Sequence, residues 1–296
     1  MARLRLESTT DSFDLDGIMD SGTGVVALEG VSGVGLPTVS TQWVEGAGNG
    51  ATYRGERVLP RDIDLPLLIA TPDRAAMRDT MTRLARMLAG PMTFRFIDHD
   101  DTSWTLDVRR AGGGQMVLGS DTDRDLRLAS TVVTLRAGDP FWTSGTAQRA
   151  TVAGIRGRGL IKDPDGTGSA KATLSALRVS SSQTLGEFTM RNEGDAEARP
   201  VWTVNGPGEG LVVTSSTGES FAWNGTLSAS DTLVIDTARA TVILNGTTSV
   251  YRQLGPAPRL WKVPPGTTTA RVEFTNTDSA TSRIVAEWRP RRWTVI

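Results

Sequence analysis

From residue 186 onward, short alternating segments are broken by turn signals at a spacing of about ten residues, the rhythm of a β-sandwich. The turn signals are Asn192-Glu193-Gly194-Asp195, Gly206-Pro207-Gly208, Asn224-Gly225, Asn245-Gly246 and Pro264-Pro265-Gly266. Glycine, asparagine and proline supply the backbone angles that tight turns need. The strand candidates between them are 186–191, 199–205, 210–214, 219–223, 231–236, 239–244, 249–253, 257–262, 268–275 and 282–289. No helical period of useful length interrupts them. This half therefore reads as a sandwich or jelly roll.

The first half is also strand-rich. Residues 92–98 and 103–109 alternate on either side of His99-Asp100-Asp101-Thr102, which predicts a hairpin. Residues 126–136 form another long alternating segment, and 2–7, 24–29, 38–44 and 62–70 are shorter candidates. Pro60 and Pro66 predict that the last of these is an edge strand or is interrupted. One helix is expected at 72–88. Thr71 is the expected N-cap, Pro72 the first helical residue, and Met77, Met81, Leu84 and Leu88 the apolar face. Gly90-Pro91 stops it. One helix packed on an antiparallel sheet accounts for 1–142.

After Asp139-Pro140-Phe141-Trp142 the composition turns to Ser, Thr, Gly and Ala through residue 187. This stretch reads as a connecting arm with weak strands at 148–153 and 171–179. The expected domains are thus 1–142 and 143–296, the second opening with the 143–187 arm.

Composition closes off much chemistry. The 296 residues include no cysteine and a single histidine, so disulfide scaffolds, thiolate metal sites, cysteine nucleophiles and His-rich metal sites are out. A net charge of -1 offers no global basic field to nucleic acid. No apolar run approaches the ~20 residues of a bilayer span, and the opening MARLRLESTTDSF has no signal-peptide core, so synthesis and folding in a cytoplasm are expected. The basic residues are 29 Arg and 3 Lys, a bias that suits GC-rich codons and also arginine-rich interfaces.

Four local constellations invite a functional reading. Asp98, His99, Asp100 and Asp101 place one imidazole among carboxylates, at an expected hairpin tip where adjacent residues rarely converge on one ion. Asp121, Asp123 and Asp125, and Asp163 and Asp165 before Gly166, open like calcium loops but lack the closing glutamate. Gly30, Gly33 and Gly35 have the wrong spacing for a dinucleotide fingerprint, and no helix follows. Five tryptophans, Trp202, Trp223, Trp261, Trp288 and Trp293, lie in the sandwich half. They read as core packing, or alternatively as a sugar-stacking platform of a carbohydrate-binding module. Asn224 and Asn245 head formal glycosylation sequons that read better as turns. No pair of acids stands out for glycosidase chemistry. Catalytic, cofactor-binding and metal-ligating residues are therefore expected to be none, and no cofactor is expected.

Two sets of phrases, in order, resemble the distal tail proteins (minor tail proteins) of bacteriophages with long non-contractile tails. The first is Asn192, Gly194, Asp195, Pro200, Gly206, Ile235-Asp236-Thr237, Asn245-Gly246 and Pro265-Gly266. The second is Arg61, Ile63 and Leu65 before the helix, then Leu135-Arg136 and Asp139 to Trp142 closing the first half. Ala229-Ser230-Asp231 departs modestly from the pattern in a turn. The resemblance implies an N-terminal split β-barrel domain with one helix and a galectin-like C-terminal sandwich. It implies a non-enzymatic virion protein of the tail tip whose six copies close a ring. The implied partners are the tail tube protein, the tail-associated baseplate hub protein, the tape measure protein and peripheral fibre or receptor-binding proteins. DNA would cross the lumen without specific binding, and no membrane is involved.

Overall fold

A computed structural model describes residues 2–153, 184–278 and 280–296. The expected strand at 171–179 and the Asp163, Asp165 and Gly166 loop lie outside these residues. The chain divides into two compact units, Met1–Thr146 with Arg291–Ile296, and Ala147–Pro290. Residues 291–296, expected with the sandwich, thus belong to the first unit. The reason is pairing, since Arg291 and Arg292 form an antiparallel ladder with Thr143 and Trp142.

The first unit contains β1 (Arg3–Glu7), β2 (Ser12–Asp14), the one-turn helix α1 (Gly17–Ser21), β3 (Gly24–Ala27), β4 (Val39–Glu45), β5 (Ala51–Val58), β6 (Arg61–Ala70), α2 (Arg74–Leu88), β7 (Met92–Ile97), β8 (Ser103–Gly113), β9 (Leu128–Ala137) and β10 (Trp142–Ser144). Seven of these strands follow the order β2-β1-β7-β8-β9-β6-β3. The ends of this sheet come together: Asp16 bridges Val26, and the Ala27 N–H donates to the Leu15 carbonyl at 2.7 Å. The result is a nearly closed, split barrel. Its interior holds Leu6, Ile63, Leu65, Leu67, Phe94 and Leu135, all fully shielded. Alternation on β6 and β9 places Ile63, Leu65, Leu67 and Leu135 inside and leaves Asp62, Asp64 and Arg136 outside.

Two sequence expectations change here. Strand β6 is neither an edge nor interrupted, because it lies between β9 and β3. Pro66 is tolerated because its carbonyl accepts the Leu28 N–H at 2.9 Å, just past the end of β3. Its missing N–H faces the same side, where the ladder is already ending. The helix cap is Asp73, not Thr71. Asp73 is extended (φ -153°, ψ 174°), and its carboxylate accepts the Ala76 N–H at 2.8 Å. Pro72 therefore precedes the cap, and the Thr71 hydroxyl turns to the carbonyls of Asp73 and Arg127. Met77, Leu84 and Met87 are buried on the helix, with Met81 and Leu88 at the margin of the same core.

The second unit contains β11 (Gln148–Ala153), β12 (Thr184–Asn192), β13 (Val201–Asn205), β14 (Gly208–Ser215), β15 (Ser220–Leu227), β16 (Thr232–Asp236), β17 (Thr241–Leu244), β18 (Thr248–Ser249), β19 (Gly266–Thr275) and β20 (Arg283–Trp288). Two sheets, β11-β20-β13-β16-β17-β18 and β12-β19-β14-β15, enclose one core. That is the expected sandwich. Segments 249–253 and 257–262 are not strands. The first holds a 3-10 turn (Tyr251–Gln253), and the second lies against the sandwich with Trp261 buried. Asn224-Gly225 is not a turn but lies within β15. A Cβ on Gly225 would fall 2.1 Å from the Trp223 ring, so this strand needs a glycine where the indole folds back.

Each of the other recurring phrases locks a turn. Buried Asn192 donates from Nδ2 to the carbonyls of Ala196 and Val263, at 2.8 and 3.0 Å, and its Oδ1 accepts the Gly194 N–H. Asp236 accepts the N–H groups of Ala238 and Arg239, and the Thr237 hydroxyl reaches the Pro200 carbonyl at 2.7 Å. Asn245 and Gly246 both have positive φ (51° and 74°), as a two-residue hairpin turn requires. Replacing Asp73 with Ala is expected to lower stability by about 1 kcal/mol, the usual value of a side-chain cap. Thermal unfolding checks it, and an unchanged midpoint would contradict the assignment of Asp73 as the cap.

Candidate assembly surface

In the first unit one element stands apart from the barrel. Among the described residues, strands β4 and β5 pair only with each other, Val39 opposite Val58 and Trp43 opposite Tyr53, with a bulge after Gln42. Nearly every residue of both strands is exposed, on both faces. The Trp43 and Tyr53 rings meet edge to face at 5.3 Å while remaining 58% and 46% exposed. Val39 and Val44 are exposed beside them. A lone two-stranded ribbon is marginal in water, and its unpaired edges and apolar faces invite a partner. Covering each of its large side chains would contribute roughly 1.5–3 kcal/mol.

The root of this hairpin is held firmly. Proline 37 precedes β4 and Pro60 follows β5, and the Leu59 N–H closes the base on the Thr38 carbonyl at 2.8 Å. Next in the chain is Arg61, which is 2% exposed. Its Nε donates to the Pro140 carbonyl at 2.8 Å, Nη1 to the carbonyls of Gly33 (2.6 Å) and Gly35, and Nη2 to the Trp293 carbonyl at 2.6 Å. Its guanidinium carbon lies 5.8 Å from the centre of the Trp142 ring. Burial pushes its pKa down, but a guanidinium stays charged. One side chain thereby joins the segment entering the hairpin, the strand leaving it, the Asp139–Trp142 turn and the 291–296 strap. The strap is held further by the Arg291–Asp139 ion pair, by Arg291 over Phe141 at 4.7 Å, and by Trp293 edge-on to Phe141 at 4.9 Å.

Gly33 is part of the same device. Its φ is +82°, and a Cβ there would lie 2.0 Å from the Asp62 carbonyl oxygen. Gly33 thus lets the backbone lie against β6, and the carbonyls of Gly33 and Gly35 face Arg61.

The remaining sequence candidates do not converge on a chemical centre. Asp98 to Thr102 is a hairpin tip closed by the Asp98 N–H on the Thr102 carbonyl at 2.8 Å. Asp100 accepts from Thr102, and Asp101 pairs with Arg3. Asp121 accepts the Val117 N–H and Asp123 those of Arg127 and Leu128, while Asp125 pairs with Arg127, so these carboxylates organise their own loop. No group of three or more His, Cys, Asp or Glu side chains with metal-site geometry occurs among the described residues. No helix among them is long and apolar enough to cross a membrane. Trp202, Trp223, Trp261 and Trp288 are buried in the sandwich core, and Trp293 is half-buried in the first unit, so they offer no sugar-stacking platform. The exposed tryptophan is Trp43, which the sequence reading did not single out. Strand β5 was missed as well, although Glu45-Gly46-Ala47-Gly48-Asn49-Gly50 is a turn signal between two strand-like segments.

Residues 193–293 match the family model for the siphovirus-type tail component, C-terminal domain. The resemblance to distal tail proteins read from the sequence is borne out by this match, and solved structures share the fold over the whole chain. The SPP1 Dit protein, described as a paradigm of the hub adsorption apparatus in phages infecting Gram-positive bacteria, superposes with a TM-score of 0.63 at 10% identity. The match covers 98% of this chain and 99% of that one. A chain of the phage P2 baseplate in its activated conformation with Ca superposes with a TM-score of 0.56 at 12% identity, covering 97% and 98%. No curated protein sequence matches the chain.

Two outcomes follow from this geometry. Arg61→Met is expected to destabilise the first unit by about 3 kcal/mol or more, since several buried carbonyls lose their donor. Arg61→Lys should recover little of it, because one ammonium cannot reproduce the planar fork. Chemical denaturation checks both, and a full rescue by lysine would contradict the fork geometry. The single histidine gives a pH readout. His99 Nδ1 lies 2.7 Å from Asp98 Oδ1, and that hydrogen bond, then the charges of Asp98 and Asp100, raise the imidazole pKa above 6.5. A raised histidine contributes fully below its unfolded-state pKa, and the contribution is lost as pH rises through the folded-state value. In an NMR titration His99 should titrate above its ordinary value, and Asp98→Asn should bring it down.

Proposed function

We propose that the protein is a structural, non-enzymatic component of a phage tail tip, and that its first unit forms a ring of six copies. In this reading the ring joins the tail tube and tape measure side to the tail-associated baseplate hub protein, and the sandwich serves peripheral fibre or receptor-binding proteins. DNA passes through the lumen without specific contacts. The protein is made in the host cytoplasm and resides in the virion tail tip.

The observation that carries the reading is the exposed hairpin β4–β5, an ordered element with apolar side chains on a stiff root and no pairing partner for either strand, beyond the other, among the described residues. It is what a subunit built to be completed by a neighbour displays. The family model of the sandwich and the full-length likeness to a hub protein and a baseplate chain support the same role. A ring needs a heterologous contact, one patch meeting a different patch on the next copy. A projecting ribbon on one side of a subunit meets that need.

Light scattering with negative-stain averaging tests the proposal. The intact protein, at high concentration or on isolated tail tubes, should give sixfold rings. The double variant Trp43→Asp, Tyr53→Asp should remain a folded monomer. Rings that form equally well with the double variant would overturn the assigned role of the hairpin.

A further inference from the structure

Four of the six asparagines in the chain precede a glycine: Asn49, Asn205, Asn224 and Asn245. This dipeptide has a chemistry of its own. The glycine nitrogen attacks the asparagine side-chain amide carbon, and no Cβ on the attacking residue stands in the way. Attack needs two freedoms. The asparagine ψ and χ1 must swing Cγ onto the next nitrogen, and that N–H must be unengaged. Three of the four sites lack them. Asn205 lies in β13, paired with Thr232 on one side and Arg283 on the other. Its Nδ2 donates to the Thr232 hydroxyl at 3.0 Å, and the buried Gly206 N–H donates to the Asp231 carbonyl at 3.1 Å. Asn245 is held at both ends of its amide. Its Oδ1 accepts the Thr232 N–H at 2.9 Å, and its Nδ2 donates to Asp231 at 2.8 Å. Asn224 lies within β15, where the Gly225 backbone is wedged between side chains: a Cβ there would fall 2.1 Å from the Trp223 ring and 2.5 Å from the Gln253 amide oxygen.

Asn49 differs on every count. The loop 46–50 crosses between Glu45 and Ala51, the last pair of the β4–β5 ladder, and three of its five residues are glycine. All of them are exposed. Gly50 has φ +91°, and nothing lies within 4 Å of where its Cβ would be. Among the described residues, neither the Asn49 amide nor the Gly50 N–H has a hydrogen-bond partner. We infer that Asn49-Gly50 is a self-modification site, at which the loop closes to a succinimide and then opens to aspartate and isoaspartate. The Gly50 nitrogen gives its proton to solvent base and bonds to Asn49 Cγ. The Cγ–Nδ2 bond breaks, and the amide nitrogen leaves as ammonia with a proton from water. Water then adds to one of the two imide carbonyls and opens the ring. Nothing is oxidised or reduced. Opening at Cγ restores the ordinary backbone as aspartate. Opening at the main-chain carbonyl routes the backbone through Cγ and lengthens it by one methylene group. Either product adds a carboxylate to a tip that already carries Glu45. The inference stands apart from the ring reading and uses only the single chain.

Time courses of the intact protein at mildly alkaline pH, in native buffer and in denaturant, test this by peptide mapping with mass spectrometry. In native buffer the Asn49 peptide should gain the amide-to-acid mass change at least tenfold faster than the peptides of Asn205, Asn224 and Asn245, with isoaspartate as a separately eluting product. Its rate should rise with pH, because the attacking nitrogen must lose a proton. In denaturant the three held sites should approach the Asn49 rate, while Asn49 itself changes little. Asn49→Gln, in an exposed loop and expected to leave the circular dichroism unchanged, should remove the fast reaction from this peptide. Asn49 reacting no faster than the held sites in native buffer would overturn the inference. So would a tenfold acceleration of Asn49 by denaturant, which would mean that the folded loop holds it too, or a rate indifferent to pH.

Discussion

One buried cation, Arg61, organises the first unit. The hydrogen bonds of Arg61 go to main-chain carbonyls from three separate segments. A charge taken out of water is costly unless its donors are used. The planar fork uses Nε, Nη1 and Nη2 at once, which an ammonium cannot do. The geometry therefore demands that the Gly33–Gly35 segment, the Pro140 turn and the Trp293 strap all be in place together. The cation makes the Asp139–Trp142 turn, the 291–296 strap and the root of the exposed hairpin into one arrangement.

Much of this was legible in the sequence as pattern, though not as cause. The phrases Arg61-x-Ile63-x-Leu65 and Asp139-Pro140-Phe141-Trp142 were recognisable before any coordinates. The structure supplies the physics: the first supplies the guanidinium and the inward-facing alternation, the second a carbonyl, an aromatic ring beneath the cation and an acid for Arg291. The sandwich was equally readable. Asn192, Asp236-Thr237 and Asn245-Gly246 are local turn locks, and local chemistry is what sequence reports best. The hairpin β7–β8 and helix α2 were found for the same reason.

What escaped notice depended on distance or on context. Pro66 argued against an internal strand, and only the point where β3 ends explains its place. Asn224-Gly225 has the letters of a turn, and only the Trp223 ring shows why a glycine sits in mid-strand. Thr71 was the expected cap, and the extended backbone and side-chain hydrogen bond of Asp73 move the cap two residues on. Strand β4 was read at 38–44, but β5 and the exposure of the hairpin were missed because the pattern of Val, Trp and Tyr with charges on both faces matches no burial rule within one chain. Sequence rules assume that apolar alternation points at a core of the same molecule. Here the alternation points outward, so its meaning lies in what covers it.

Hydrogen exchange resolved by segment, comparing free protein with the assembled form, tests the account most directly. The amides of 39–45 and 51–58 that lie on the outer edges of the hairpin should exchange rapidly in the free protein and slow markedly on assembly, while β6 and the Arg61-bound segments stay protected in both. A hairpin that exchanges equally in both states would contradict its role as the element completed by a neighbour. So would a hairpin already protected in the free chain.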